Sequence, residues 1–187
     1  MRTIFGFCFL LASIISTCLF GQANIYKVTN GTVYFHSEAQ TELIRATSKN
    51  LVGAVDLAKK TFLFKMNVAS FAGFNNPLQK EHFNENYMES DRYPIASYSG
   101  KIIEETDLTK DGDYYIRAKG KLTIHGVAHQ QIIKCHIICK KGKIKVQAEF
   151  IVMLADYNIN IPRIVSDKLS EKINISVNAY LESAAST

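Results

Sequence analysis

His125 and His129 stand four residues apart, Cys135 and Cys139 share that spacing, and His136 adjoins the first thiol. One helical turn between such side chains would offer zinc two ligands from a single face. The neighbouring residues alternate as a strand does and then turn at Gly126, so that shared face does not exist. In a strand, Cys135 and Cys139 point the same way but lie about 13 Å apart, too far for a disulfide. They read as small apolar core residues, and His125 as a hydrogen-bonding strand end beside its turn. No acidic side chain stands at ligand spacing, so neither a metal nor a cofactor is expected. The sequence has no G-x-S-x-G elbow, no nucleotide-binding glycine loop and no carboxylates paired for acid–base work. No catalytic residue is assigned.

The other polar candidates lie in one stretch, Glu81 to Pro94, which is polar, aromatic and helix-friendly. It ends at Tyr93-Pro94, where the proline turns the preceding residue towards extended backbone. On a helix His82 and Asn86 share a face, and with Tyr87 they could address a ligand headgroup at a cavity mouth. Alternatively, Glu81 and His82 hold this insert to its neighbours. Phe83, Tyr87 and Met88 suit packing over the end of a sheet.

What must position that insert is sheet. Phe62, Phe64, Met66 and Val68 alternate with polar residues, and so do Tyr114, Ile116, Ala118, Gly120, Leu122 and Ile124. The cleanest runs are Ile144 to Leu154 and Ile173 to Leu181. One apolar and one solvated face marks antiparallel sheet. Candidate strands lie near 24–37, 40–48, 50–58, 60–69, 94–104, 113–124, 130–139, 143–155 and 171–182. Turn signals stand at Asn30-Gly31, Ser99-Gly100, Lys110 to Gly112, Lys141-Gly142 and Pro162. About eight antiparallel strands of roughly ten residues suit an all-β, closed barrel with a short helical insert. Barrels of that size can enclose one ligand. Ala118, Gly120, Ala148 and Ala179 sit among the inward candidates. They admit two accounts, tapered packing or room for an apolar guest.

Residues 1–22 read as a secretory signal: Arg2, an apolar run from Ile4 to Phe20, then small residues at Gly21 and Ala23. A membrane anchor would need a longer uninterrupted apolar run. Acylation at Cys18 is disfavoured because Thr17, not a small Gly, Ala or Ser, precedes it. Export to the periplasm or beyond is the expectation. Of 22 basic residues only Arg2 lies in that leader, leaving 21 against 17 acidic ones, a net charge of +4. The basic residues are scattered, which excludes a nucleic-acid stripe and suits weak, transient attraction to anionic membrane surfaces. About 160 residues remain, enough for one domain with a sizeable core.

Gly120 to Val127 (Gly-Lys-Leu-Thr-Ile-His-Gly-Val) resembles the G-x-L-T-I-H-G-V motif of the YceI-like family at every fixed position. His82-Phe83, Asn86 to Glu89 and Tyr93-Pro94 resemble that family's His-Leu, Asp-Phe-Phe-Asp and Tyr-Pro segment. Asp156 to Ile159 is similar to its later Asp-Phe-Gly-Ile turn. The chain departs at Gln79-Lys80, where the family carries Arg-Asp, and in its first hairpin, where Gly53 alone stands out. The resemblance spans residues 24–182. It implies an extended, lipocalin-like antiparallel barrel that is exported, has no established catalysis, and binds polyisoprenoids, isoprenoid quinones or related long-chain lipids.

The expected site therefore joins Phe62, Phe64, Met66, Ile116, Val146, Phe150, Ile175 and Val177 along the tunnel to His82, Asn86 and Tyr87 at its mouth. A long-chain lipid or isoprenoid is the expected partner. The oligomeric state, homodimer included, stays open. Two alternatives stand beside this reading: a cell-envelope interaction protein with a packed barrel, and a metal-dependent barrel enzyme.

Overall fold

The computed structural model describes residues 24–184. Residues 1–22, expected to be a secretory signal, and with them Cys18, lie outside the described residues. Nine strands follow in order: β1 (Ile25–Glu38), β2 (Leu43–Ser48), β3 (Val52–Asp56), β4 (Thr61–Asn67), β5 (Ile95–Ile102), β6 (Gly112–Ile124), β7 (Val127–Lys140), β8 (Lys143–Met153) and β9 (Lys172–Ser183). Consecutive strands from β3 to β9 pair antiparallel, and β9 pairs back onto β1, which closes the sheet. β2 and β3 meet β1 in one register, Val33 opposite Ser48 and Ile25 opposite Asp56. They act as one bent strand interrupted at residues 49–51, so the barrel has eight positions around its axis, as expected.

Turn chemistry explains the tight connections. His125-Gly126 joins β6 to β7 with φ of 51° and 73°, and Lys141-Gly142 joins β7 to β8 with 50° and 73°. Positive φ at both central residues is what a two-residue hairpin of matching twist requires. Two expected turns are not turns. Asn30-Gly31 lies within β1 and Ser99-Gly100 within β5, because both glycines serve close backbone approach. A Cβ on Gly31 would come within 2.8 Å of the Leu51 Cβ, and one on Gly100 within 2.1 Å of the Lys119 carbonyl oxygen.

The helical insert begins earlier than Glu81. Asn76 accepts from the Gln79 amide at 2.9 Å, Pro77 takes the first helical position, and α1 runs Pro77–His82. It continues as a π-helical turn, Phe83–Tyr87. The chain then enters β5 after Pro94, as the proline predicts.

One end of the barrel collects the β1–β2 turn, the insert, the His125 hairpin and the segment between β8 and β9. The opposite end collects the β3–β4, β5–β6 and β7–β8 connections. From the β5–β6 connection Leu108 folds back and is buried in the core.

Candidate functional site

Inward-facing side chains of this barrel are not uniformly buried. On β8, Ile144 and Val152 are buried, while Val146, Ala148 and Phe150 between them stay half-buried. On β9, Ile173, Ala179 and Leu181 are buried, but Ile175 and Val177 are not. Phe64 on β4 and Tyr98 on β5 behave like the second group. These residues point inwards and still retain accessible surface, so they face an internal space. That space is a cavity of about 640 Å³, within the range of roughly 300–1,000 Å³ usual for small-molecule sites. The packed-barrel alternative expected no such volume.

The cavity wall is almost entirely hydrocarbon. Phe62, Phe64, Met66, Ile116, Val146, Phe150, Ile175 and Val177 all line it, and so do His82 and Tyr87. Asn86 does not: it is exposed and off the cavity. The cause is the π turn. The Met88 amide donates to the Phe83 carbonyl at 2.9 Å. That wider loop changes the angular offset between His82 and Asn86 from the one an α-helix gives.

The position of the opening follows from which lining residues are exposed. Apart from Lys65 on β4, these are Asn76, Leu78, His82 and Lys168, all at the insert end. At the other end Leu57, Ile102, Leu108 and Ile144 line the space and are buried or half-buried. The cavity is closed there.

Phe83, expected from sequence to pack, does so on an aromatic floor of Phe35, Phe71 and Phe74 that was not expected. Phe83 stacks on Phe35 with centroids 5.5 Å apart and packs edge-on against Phe71 at 5.6 Å. Phe74 tilts against Phe83 at 5.1 Å. Phe35 belongs to the β1 alternation and could have been found there. Phe71 and Phe74 sit in an irregular stretch with no period to betray them.

Tyr98 is the main polar group within the wall. Its hydroxyl donates to the Ala118 carbonyl at 2.6 Å and reaches that of Gln131 at 3.2 Å. Burial pushes its pKa up to about 12, with the neighbouring Cys135 adding to the rise. Burial likewise pushes the Cys135 thiol up to about 11, so this cavity-lining cysteine is a neutral apolar surface.

The two stretches that carried the family resemblance meet in space. His125 donates from Nδ1 to the Tyr157 carbonyl at 3.0 Å, and its Nε2 lies 3.2 Å from a Glu89 carboxylate oxygen. Tyr93 packs edge-on against the same imidazole at 4.6 Å, and the Arg92 guanidinium lies over the Tyr93 ring at 5.0 Å. A Cβ on Gly126 would strike Tyr93 at 2.6 Å. His125 thus clasps the insert and the Tyr157 turn to the barrel. His136 turns outward instead, pairing with Asp113 at 2.5 Å and stacking on Tyr115. These acidic partners, Glu89 at the end of the insert and Asp113 on β6, are distant in sequence and beyond the reach of local spacing. Among the described residues no three His, Cys, Asp or Glu side chains converge as a metal site would require.

The model of the YceI-like domain matches residues 26–181. The chain belongs to the YceI-like family. A search of curated proteins by sequence finds no match. Among solved structures, this YceI-like chain is similar to a polyisoprenoid-binding domain from Saccharophagus degradans implicated in plant cell wall breakdown. Identity is 15%, the TM-score is 0.71, and 84% of this chain and 98% of that one are covered. It is also similar to BcnA of Burkholderia cenocepacia, at 15% identity and a TM-score of 0.66, over 80% of this chain and 95% of that one. The YceI protein of Campylobacter jejuni follows at 18% identity and 0.52, over 70% and 78%. At these identities the likeness is one of fold.

Proposed function

We propose that this YceI-like protein is an exported binding protein that holds one long-chain apolar ligand, a polyisoprenoid, isoprenoid quinone or similar lipid, inside its barrel. The observation that carries the proposal is the hydrocarbon-lined cavity, closed at one end and open beside the insert. A polyisoprenoid-binding domain among its structural relatives supports the same class of guest. Burial supplies about 0.8 kcal/mol per CH₂, so each five-carbon isoprene unit contributes roughly 4 kcal/mol before the costs of ordering are subtracted. Affinity should therefore climb steeply with chain length until the cavity is full. The headgroup stays at the mouth, where His82, Asn76 and Lys168 line the opening. The role is storage, carriage or sequestration, and no chemical step is assigned to any side chain.

Native mass spectrometry of the purified protein tests this reading. The expected result is a co-purifying lipid, or one-to-one uptake of a polyprenyl or quinone probe. Val177→Trp, which fills the cavity from the middle of β9, should abolish uptake while the protein stays folded. A lipid-free protein that takes up neither probe would overturn the proposal.

A further inference from the structure

Around the mouth, three elements are tied together by hydrogen bonds. The Thr41 amide donates to the Asp167 carbonyl at 2.9 Å, linking the β1–β2 turn to the segment before β9. Gln79 donates to the Glu42 carboxylate, and Asn75 Nδ2 to the Leu43 carbonyl at 3.0 Å, linking the same turn to the insert. Each of the three exposes a large aliphatic side chain: Leu43 at 48%, Leu78 at 55% and Ile164 at 88%. Ile164 sits on a 3₁₀ turn, Arg163–Val165, directly after Pro162. Leu78, Val165 and Leu169 also line the cavity, so apolar surface runs without a break from the outer rim to the interior.

We propose that this rim is a docking face for an anionic lipid bilayer, with Ile164 and Leu78 inserted into the headgroup–acyl boundary and the cavity mouth opening onto the membrane. The inference rests on the lipid-binding reading of the cavity. The exposed Ile164 and the two cations beside it in the chain favour a bilayer as occupant. Arg163 and Lys168 flank Ile164, and among the described residues neither has an ion-pair partner. Of the nearby acids, Asp167 and Glu42 accept hydrogen bonds from Thr41 and Gln79, neutral donors that leave both carboxylates charged. Glu81 and Glu85 stand across the mouth on the helical side. An exposed apolar tip set between uncommitted cations is the arrangement that interfacial binding uses. A long apolar chain has its reservoir in a membrane, and a mouth seated there takes it up without passing it through water.

Co-sedimentation of the purified protein with vesicles tests the inference. Binding to vesicles with a third phosphatidylglycerol should exceed binding to pure phosphatidylcholine by about tenfold or more, since each basic residue at the surface contributes about fivefold. Ile164→Asp, a solvent-exposed change checked for folding by its melting curve, should weaken binding to the anionic vesicles by at least about tenfold. It should leave uptake of a polyprenyl probe from detergent micelles intact. Equal binding to both vesicle types, or no effect of Ile164→Asp, would overturn the docking face. So would a solution dimer that Ile164→Asp dissolves without any vesicle binding, which would assign the rim to a second copy of the chain. Vesicle docking without uptake from detergent would overturn the cavity reading instead.

Discussion

β9 passes through two environments on a single face. Near its end, Ala179 and Leu181 are sealed, and Leu108, which folds back from the β5–β6 connection at that end of the barrel, is buried with them in the core. Two and four residues before Ala179, Val177 and Ile175 point the same way and remain half-buried against the cavity. Both pairs are aliphatic and both satisfy the same alternation. The difference lies in what surrounds them: Leu181 is fully enclosed at the closed end, whereas the space at mid-height is the cavity. Inwardness belongs to the strand, whereas filling belongs to the whole barrel.

Truncation should separate the two environments most clearly. Leu181→Ala removes a fully packed side chain and should cost about 2–5 kcal/mol. Ile175→Ala removes one that already borders a void and should cost about 1 kcal/mol or less. Urea unfolding of both variants measures the gap, and equal losses would break the comparison.

A smaller effect is expected at the insert end. His125→Ala leaves the Tyr157 carbonyl without its donor and releases Glu89, at about 1–3 kcal/mol. Because His125 does not line the cavity, ligand uptake at temperatures well below melting should be unchanged. Loss of uptake in a folded His125→Ala protein would show that clasp and cavity are one unit.

The smallest effect concerns pH. Tyr98 titrates near 10 when unfolded and at about 12 when folded, chiefly through burial. A raised folded value favours the protonated native state, so this contribution is complete below pH 10 and is lost as pH rises from 10 to 12. Cys135, raised to about 11, adds a loss of the same sign beginning near pH 9. Tyr98→Phe should flatten the upper part of the alkaline stability profile, measured by thermal melts across that range, and leave the Cys135 part in place.

Much of the fold was legible because alternation with period two survives along β4, β6, β8 and β9, and because Gly126 and Gly142 mark two-residue turns. The inward residues of β4, β6, β8 and β9 followed directly. Asn30-Gly31 and Ser99-Gly100 misled, since a glycine needed for close approach looks in sequence like one needed for a turn. Asn86 was misplaced because a π turn changes the angle between residues four apart, and nothing in the local composition announces it. Phe71 and Phe74 escaped for the opposite reason, lying where no regular element exists. Above all, the choice between packed and hollow could not be read from Ala118, Ala148 and Ala179, because it depends on volumes contributed by partners many residues away.

The closure behind Leu108 has a kinetic corollary. A vessel with one opening cannot be flushed: whatever occupies it must leave by the route through which the next molecule enters. Exchange should then proceed at the departure rate of the resident molecule, independent of how much competitor is supplied. On the proposed reading, the residence time of the ligand is fixed by the rim of its own cavity.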